Sequence, residues 1–311
     1  CPGVRSIDIA ANNPYFSSDG LIIYNANKTE LFFYSKTITP ENGEYTPIDS
    51  VVKIRGGAFR NNDKIKVLNI GKNIEEIGDY AFAADTLSGF SVSGKYNLPV
   101  SALKKITLGR VKDIGDYAFF AAGNGYLKTK DGYVVTRSPV ALTLDSKSDM
   151  SRIGDYAFCF AALTGNVDVK SDYVGKSAFY MHSLSQVRIN EVTEVQSYAF
   201  ATSSLTEYTV SMPDAIKIAE GAFKGSAVTK AVMSTALNYV GASAFEDCKK
   251  LSAFDLGNDL TGVGDRAFYG CGELKEKYEF RNVDVGKYAF AKSGVSEVVS
   301  RSSIFRAYAF A

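Results

Sequence analysis

The chain has 311 residues, 35 basic and 34 acidic, giving a net charge of +1 and an apolar fraction of 46%. No long block of like charge occurs, so the composition offers neither a nucleic-acid tail nor a patch for an anionic membrane. Four cysteines are too few for a disulfide scaffold of this length, and a lone histidine excludes a multi-histidine metal site.

Read from the N-terminus, Cys1, Val4, Ile7 and Ile9 carry the spacing that recurs downstream at Cys248, Leu251, Phe254 and Leu256. This spacing predicts that the chain opens inside a repeat. The rival reading is a lipid-modified Cys1 at a mature N-terminus. Residues 12–50 form a long unit. In it Leu21–Tyr24 and Leu31–Tyr34 flank a polar stretch and predict a β-hairpin, a candidate for binding because insertions on regular scaffolds often carry function.

From Phe59 onward the repeat is explicit. Ile-Gly-Asp-Tyr-Ala-Phe occurs letter for letter at Ile77–Phe82, Ile114–Phe119 and Ile153–Phe158, and looser forms bring the copies to eleven, all keeping Ala and Phe. Successive phenylalanines lie 23, 37, 39, 21, 21, 23, 22, 23, 22 and 20 residues apart. A period near 22 marks a solenoid, in which each coil buries its apolar face against its neighbours. The two long gaps hold insertions near 83–102 and 120–140. In the second, Tyr126–Thr129 and Tyr133–Thr136 read as a hairpin.

In the unit from Phe245 to Phe268, apolar or small residues fall at Cys248, Leu251, Phe254, Leu256, Leu260 and Val263. The alternation at its centre predicts a short strand with one buried face, and Ala-Phe-x-x-Cys predicts a helical or 3₁₀ turn. The constant Phe is expected to stack on its neighbours, and the constant Ala to let backbones approach. The Gly slot also admits Arg55, Gln196, Ala219 and Arg306, so a left-handed backbone is not expected there. Asp79, Asp116, Asp155 and Asp265 are placed to cap the turn that follows them. The Tyr slot, which also takes Gly57, Ser177, Ser243 and Arg266, is expected to be half exposed.

Cys-x-x-Leu-x-x-Phe-x-Leu followed by Val-Gly-x-x-Ala-Phe resembles the BspA-like leucine-rich repeat of bacterial cell-surface proteins, over nearly the whole chain. The resemblance implies a repeat solenoid: a single domain over 1–311 with a curved parallel β-sheet, short turns and hairpin insertions. It also implies surface display and adhesion-type binding of a protein or glycan on a host or neighbouring cell. It carries over no catalytic residue, no cofactor and no metal site.

His182 occupies the slot of Cys248 and Cys271 and is expected to be packed there, and the two cysteines to be buried free thiols. Gly262-Val-Gly264-Asp-Arg-Ala267 matches a dinucleotide fingerprint but lacks the long helix that gives it meaning. The outward row of the strands is the candidate binding face, with Asn69, Thr107 and Thr143 in its first half. In the second half it runs through Asp168, Arg188, Thr209, Asp255 and Glu279. Mixed in sign and poor in aromatics, it suits neither nucleic acid nor sugar stacking. A spacer or targeting module of a larger surface protein is the second reading. A glycan-acting enzyme using paired carboxylates is the third.

Overall fold

The computed structural model describes residues 6–84, 101–129, 132–145, 149–202 and 207–311. The first residues of the chain and positions 85–100, most of the insertion expected near 83–102, lie outside them. The chain divides into two compact units, Cys1–Thr164 and Gly165–Ala311. Each is a stack of parallel β coils with almost no helix.

Every coil contributes to two ribbons, where the spacing predicted one. The longer strands come from the alternating Leu-x-x-Phe-x-Leu segment. In the first unit Glu44–Tyr45, Val67–Ile70, Lys105–Leu108, Val140–Leu144 and Leu163–Thr164 form one such ribbon. The second ribbon uses the two residues before the Gly slot, as in Lys53–Ile54, Glu76–Ile77, Asp113–Ile114 and Arg152–Ile153. In the second unit the corresponding short strands run from Glu194–Val195 through Lys217–Ile218, Tyr239–Val240, Gly262–Val263 and Asp284–Val285 to Ile304–Phe305.

Between the ribbons runs the column of phenylalanines. In the first unit Phe59, Phe82, Phe119 and Phe158 stack at centroid distances of 4.7, 5.1 and 5.1 Å. In the second, Phe179, Phe200, Phe223, Phe245, Phe268, Phe290 and Phe310 stack at 4.9–5.4 Å, each pair within 10° of parallel. Burying one ring contributes about 1.5–3 kcal/mol, and each ring contact about 0.5–1.5 kcal/mol more.

The turn that carries these rings is a third ladder. The Phe N–H of one coil donates to the Ala carbonyl of the next, as in Phe82 to Ala118 at 2.7 Å and Phe245 to Ala267 at 2.7 Å. Intervening amides close four-residue β-turns, as in Ala81 to Gly78 at 3.2 Å and Ala83 to Tyr80 at 3.1 Å. The result is a chain of tight turns rather than a helix. A 3₁₀ turn proper occurs only at Glu41–Gly43 among the described residues. The Ala side chain is buried in all eleven copies, where only a small residue lets neighbouring turns approach this closely.

Two slots behave differently from their sequence appearance. The left-handed residue is the one before Ala, with φ between 51° and 68° in all eleven copies, whether Gly57, Tyr117, Ser177 or Arg266. The Gly slot keeps out of the left-handed region, as expected, and is glycine because coils nearly touch there: a Cβ on Gly264 would sit 2.4 Å from the Ala242 backbone nitrogen. Ser177→Gly is therefore expected to stabilise by about 0.5–1 kcal/mol, the left-handed penalty less the added chain entropy. Gly264→Ala is expected to destabilise by about 1–3 kcal/mol. Urea unfolding of both variants checks the opposite signs.

The Asp slot corrects the expectation of a local cap. Asp79 Oδ1 accepts the backbone N–H of Asp116 at 2.8 Å, Asp116 Oδ1 that of Asp155 at 2.8 Å, and Asp265 Oδ1 that of Lys287 at 2.7 Å. Each carboxylate ties its coil to the next. Beside it the slot tyrosines are half exposed or exposed, and Tyr80, Tyr117 and Tyr156 stack at 4.8 and 4.7 Å.

The hairpin in residues 12–50 is present, as Ile22–Asn25 against Glu30–Tyr34, with Phe16–Asp19 added antiparallel. It does not project freely. Glu30–Tyr34 pairs in parallel with Lys53–Ile54, and Tyr24, Leu31 and Tyr34 are buried. The later insertion is the antiparallel pair Asn124–Thr129 and Gly132–Arg137.

Candidate binding face

Alternation places every second residue of the long strands outward, most clearly in Asn166–Ser171 and Lys277–Arg281. In the first unit parallel pairing aligns Asn69 with Thr107 and Thr107 with Thr143. The first two are half buried and Thr143 is exposed.

In the second unit Asp168 stands beside Arg188, Arg188 beside Ser211, and Ser211 beside Val232. Asp255 follows Phe254, the partner of Ala231, and so continues that column. Thr209 does not belong to it, contrary to the sequence spacing; it faces Gln186 and Lys230 instead. The displacement is two residues along the strand. A two-residue slip preserves which face is buried, so alternation could not reveal it.

The long-strand ribbon is interrupted between Ala253–Phe254 and Lys277–Arg281. The latter pairs only with Glu297–Arg301. Tyr278 fills the core slot that Phe254 fills one coil earlier, and its hydroxyl donates to the Phe254 carbonyl at 2.9 Å. A side chain thus takes an acceptor that a strand amide would otherwise use. Three residues separate Leu274 from Tyr278, where two separate Leu251 from Phe254.

Two adjoining grooves open at this interruption. One, of about 540 Å³, is bordered by Lys230, Val232, Asp255, Lys277 and Glu279. The other, of about 420 Å³, lies over Leu256 and Leu260 with Asn258, Glu279 and Arg281 at its walls. Of the residues expected from sequence, the interruption brings Asp255 and Glu279 together. Asp255 also serves the fold, since its Oδ1 accepts the Gly257 N–H at 2.8 Å.

The charges here are only partly satisfied. Glu279 Oε1 takes Arg281 Nη2 at 3.0 Å and Arg301 Nε at 2.6 Å, while Lys277 pairs with Glu297 at 2.6 Å. Among the described residues, Arg188 and Lys230 have no ion-pair partner. Arg281 and Arg301 escaped the sequence reading, which followed the central position of each strand. The signal was an Arg four residues after Lys277 and again four after Glu297, on the outward parity of both strands.

His182 and the cysteines take no part in the face. His182 is fully buried, its Nδ1 accepting the Leu184 N–H at 3.0 Å and its ring edge-on to Tyr208 at 4.8 Å. Cys248 and Cys271 are free thiols, donating to the Phe223 and Phe245 carbonyls at 2.9 and 3.0 Å, and burial pushes the Cys248 thiol up to about 12. Among the described residues no group of three or more His, Cys, Asp or Glu side chains is placed to hold a metal ion. No helix among them is long and apolar enough to cross a membrane.

No curated protein matches the chain. Three solved bacterial structures align over 94% of it. A leucine-rich repeat protein from Bacteroides ovatus ATCC 8483 is 16% identical, with 94% of its length covered and a TM-score of 0.39. A leucine-rich cell surface protein from Faecalibacterium prausnitzii A2-165 is 18% identical, with 96% covered and a TM-score of 0.31. The chain spans 54% of a leucine-rich repeat protein from Eubacterium ventriosum ATCC 27560, at 16% identity and a TM-score of 0.34. The sequence profile of the BspA-type leucine-rich repeat region, in six copies, matches residues 39–124, 140–217 and 193–311. The eleven Ala-Phe coils and that profile cover the same stretches, and the chain belongs to the BspA-type leucine-rich-repeat family.

Proposed function

We propose that the protein is a non-enzymatic scaffold displayed outside the cell or on its surface, binding a protein partner on a host or neighbouring cell through the outward face of its long strands. The observation that carries this reading is the face itself. Rigid parallel pairing holds Asp168, Arg188, Thr209, Asp255 and Glu279 outward in the second unit and Asn69, Thr107 and Thr143 outward or half outward in the first, over a core that fixes their spacing. A polar surface on a preorganised backbone loses little freedom on binding. Aromatic platforms for sugar rings are missing from the outward positions of these described strands.

The test is a binding panel of immobilised matrix proteins, mucins and glycans, run with Asp168→Lys, Arg188→Glu and Thr143→Lys. A control variant, Lys287→Glu, changes charge on the turn side. Loss of a protein interaction in the face variants but not the control is expected. Retention of every interaction by the face variants, or binding confined to glycans, would contradict the proposal.

A further inference from the structure

We infer that Arg281 and Arg301 form a carboxylate-recognition site for an acidic peptide segment of the partner. The inference rests on the strand face being the binding surface. The two residues are register partners on neighbouring parallel strands. Both arginine side chains are 66% exposed, and both guanidinium groups turn to the same oxygen of Glu279.

Like charges opposite one another on adjacent strands repel and destabilise the pairing. One carboxylate offsets one of the two, leaving the trio with a net charge of +1. That oxygen takes Nε and Nη2 of Arg281 and Nε of Arg301, so each planar fork still presents N–H groups suited to contact with a second carboxylate. Among the described residues no second acidic side chain lies within ion-pair distance of either arginine. The negative charge that completes the site is left to a ligand.

The neighbouring cavity decides between classes of ligand. Arg281 lines the groove of about 420 Å³ over Leu256 and Leu260, with Asn258 at its edge. Phe280 and Tyr278 border the two grooves, but they are 1% and 8% exposed and neither presents an open ring face. A sugar has no exposed ring to stack on, whereas an apolar side chain next to a carboxylate finds both an apolar floor and a charged rim. An extended segment alternating acidic and apolar residues meets these demands.

Fluorescence anisotropy with a capped, labelled Leu-Glu-Leu-Glu-Leu-Glu peptide tests this, with a Leu-Lys counterpart and a heparin hexasaccharide as comparison probes. Arg281→Gln and Arg301→Gln are each expected to weaken binding roughly tenfold, and raising salt from about 50 to about 300 mM to weaken it further. Glu279→Gln removes the internal competitor and is expected to tighten it. Equal affinity for the Leu-Lys peptide, preference for the hexasaccharide, or indifference to both arginine changes would overturn the inference. If the peptide ignores the arginines but depends on Arg188 or Lys230, the arginine site fails while the strand face stands. If no outward substitution affects any protein ligand, both fail. Unchanged thermal unfolding of the variants, all at exposed residues, shows that folding is not the cause.

Discussion

Replacing Phe200 by alanine is expected to cost about 3–5 kcal/mol of stability. The ring is fully buried and stacked between Phe179 at 5.3 Å and Phe223 at 5.4 Å, with the His182 edge at 5.9 Å. Coils on both sides hold it, so the cavity has little room to collapse. Tyr198, two residues earlier, is 36% exposed and donates its hydroxyl to Glu220 at 3.1 Å. Alanine there keeps the same left-handed backbone and forfeits only surface contacts, for an expected cost of about 0–1 kcal/mol. Urea titration of both variants separates them. Equal costs would mean that the buried and exposed faces of the turn are interchanged.

The second large effect is acid sensitivity at His182. Burial lowers its pKa from 6.5 to about 3 in the folded chain. Between those values the unfolded chain binds a proton that the folded one refuses. Stability is therefore complete above pH 6.5 and falls as pH drops, at about 1.4 kcal/mol per unit. From pH 6.5 to 4.5 this one side chain is expected to cost about 2–3 kcal/mol. Asn62 fills the same slot, three residues after Phe59, and accepts the amides of Lys64 and Ile65, so His182→Asn keeps an acceptor and removes the proton. Asparagine is expected to abolish that part of the loss. For Glu246, burial opposes ionisation, but hydrogen bonds from Arg266 and Lys224 outweigh it and hold the carboxyl at about 2; its stabilisation is lost mainly below pH 4.5, and equally in both proteins. Asp113, raised by burial against the pull of Arg152, titrates alike in both proteins and cancels in the comparison. Parallel loss in the two proteins would show that His182 is not the acid-sensitive group.

Much of the solenoid was legible because its strongest constraints are chemical. Only a large flat apolar ring fills the Phe slot, and only a small residue lets two backbones meet at the Ala slot. Alternation likewise assigned the correct face to every outward residue named from sequence within the described strands. The left-handed position was hidden because Tyr, Ser and Arg carry no sign of a positive φ; Gly57 and Gly221 were the sole hints. The Asp79 to Asp116 bond spans 37 residues and has no local signature. Thr209 was placed in the wrong column because a slip of two leaves burial unchanged. The groove near Glu279 arises from one extra residue before Tyr278 and one phenolic hydroxyl. The extra residue lengthens the Leu274-to-Tyr278 spacing, but the arginines beside it lie two residues from the central outward position that spacing marks.

Amide hydrogen exchange, read peptide by peptide on the intact chain, tests most directly whether coils are joined at Ala-Phe within each unit. Slow exchange is expected at each interior copy, Phe82 and Phe119 as much as Phe223, Phe245 and Phe268, with rapid exchange at exposed turns such as Lys250 and Glu273. Phenylalanine amides that exchange as fast as those turns would contradict the ladder that runs alongside the stacked rings in each unit.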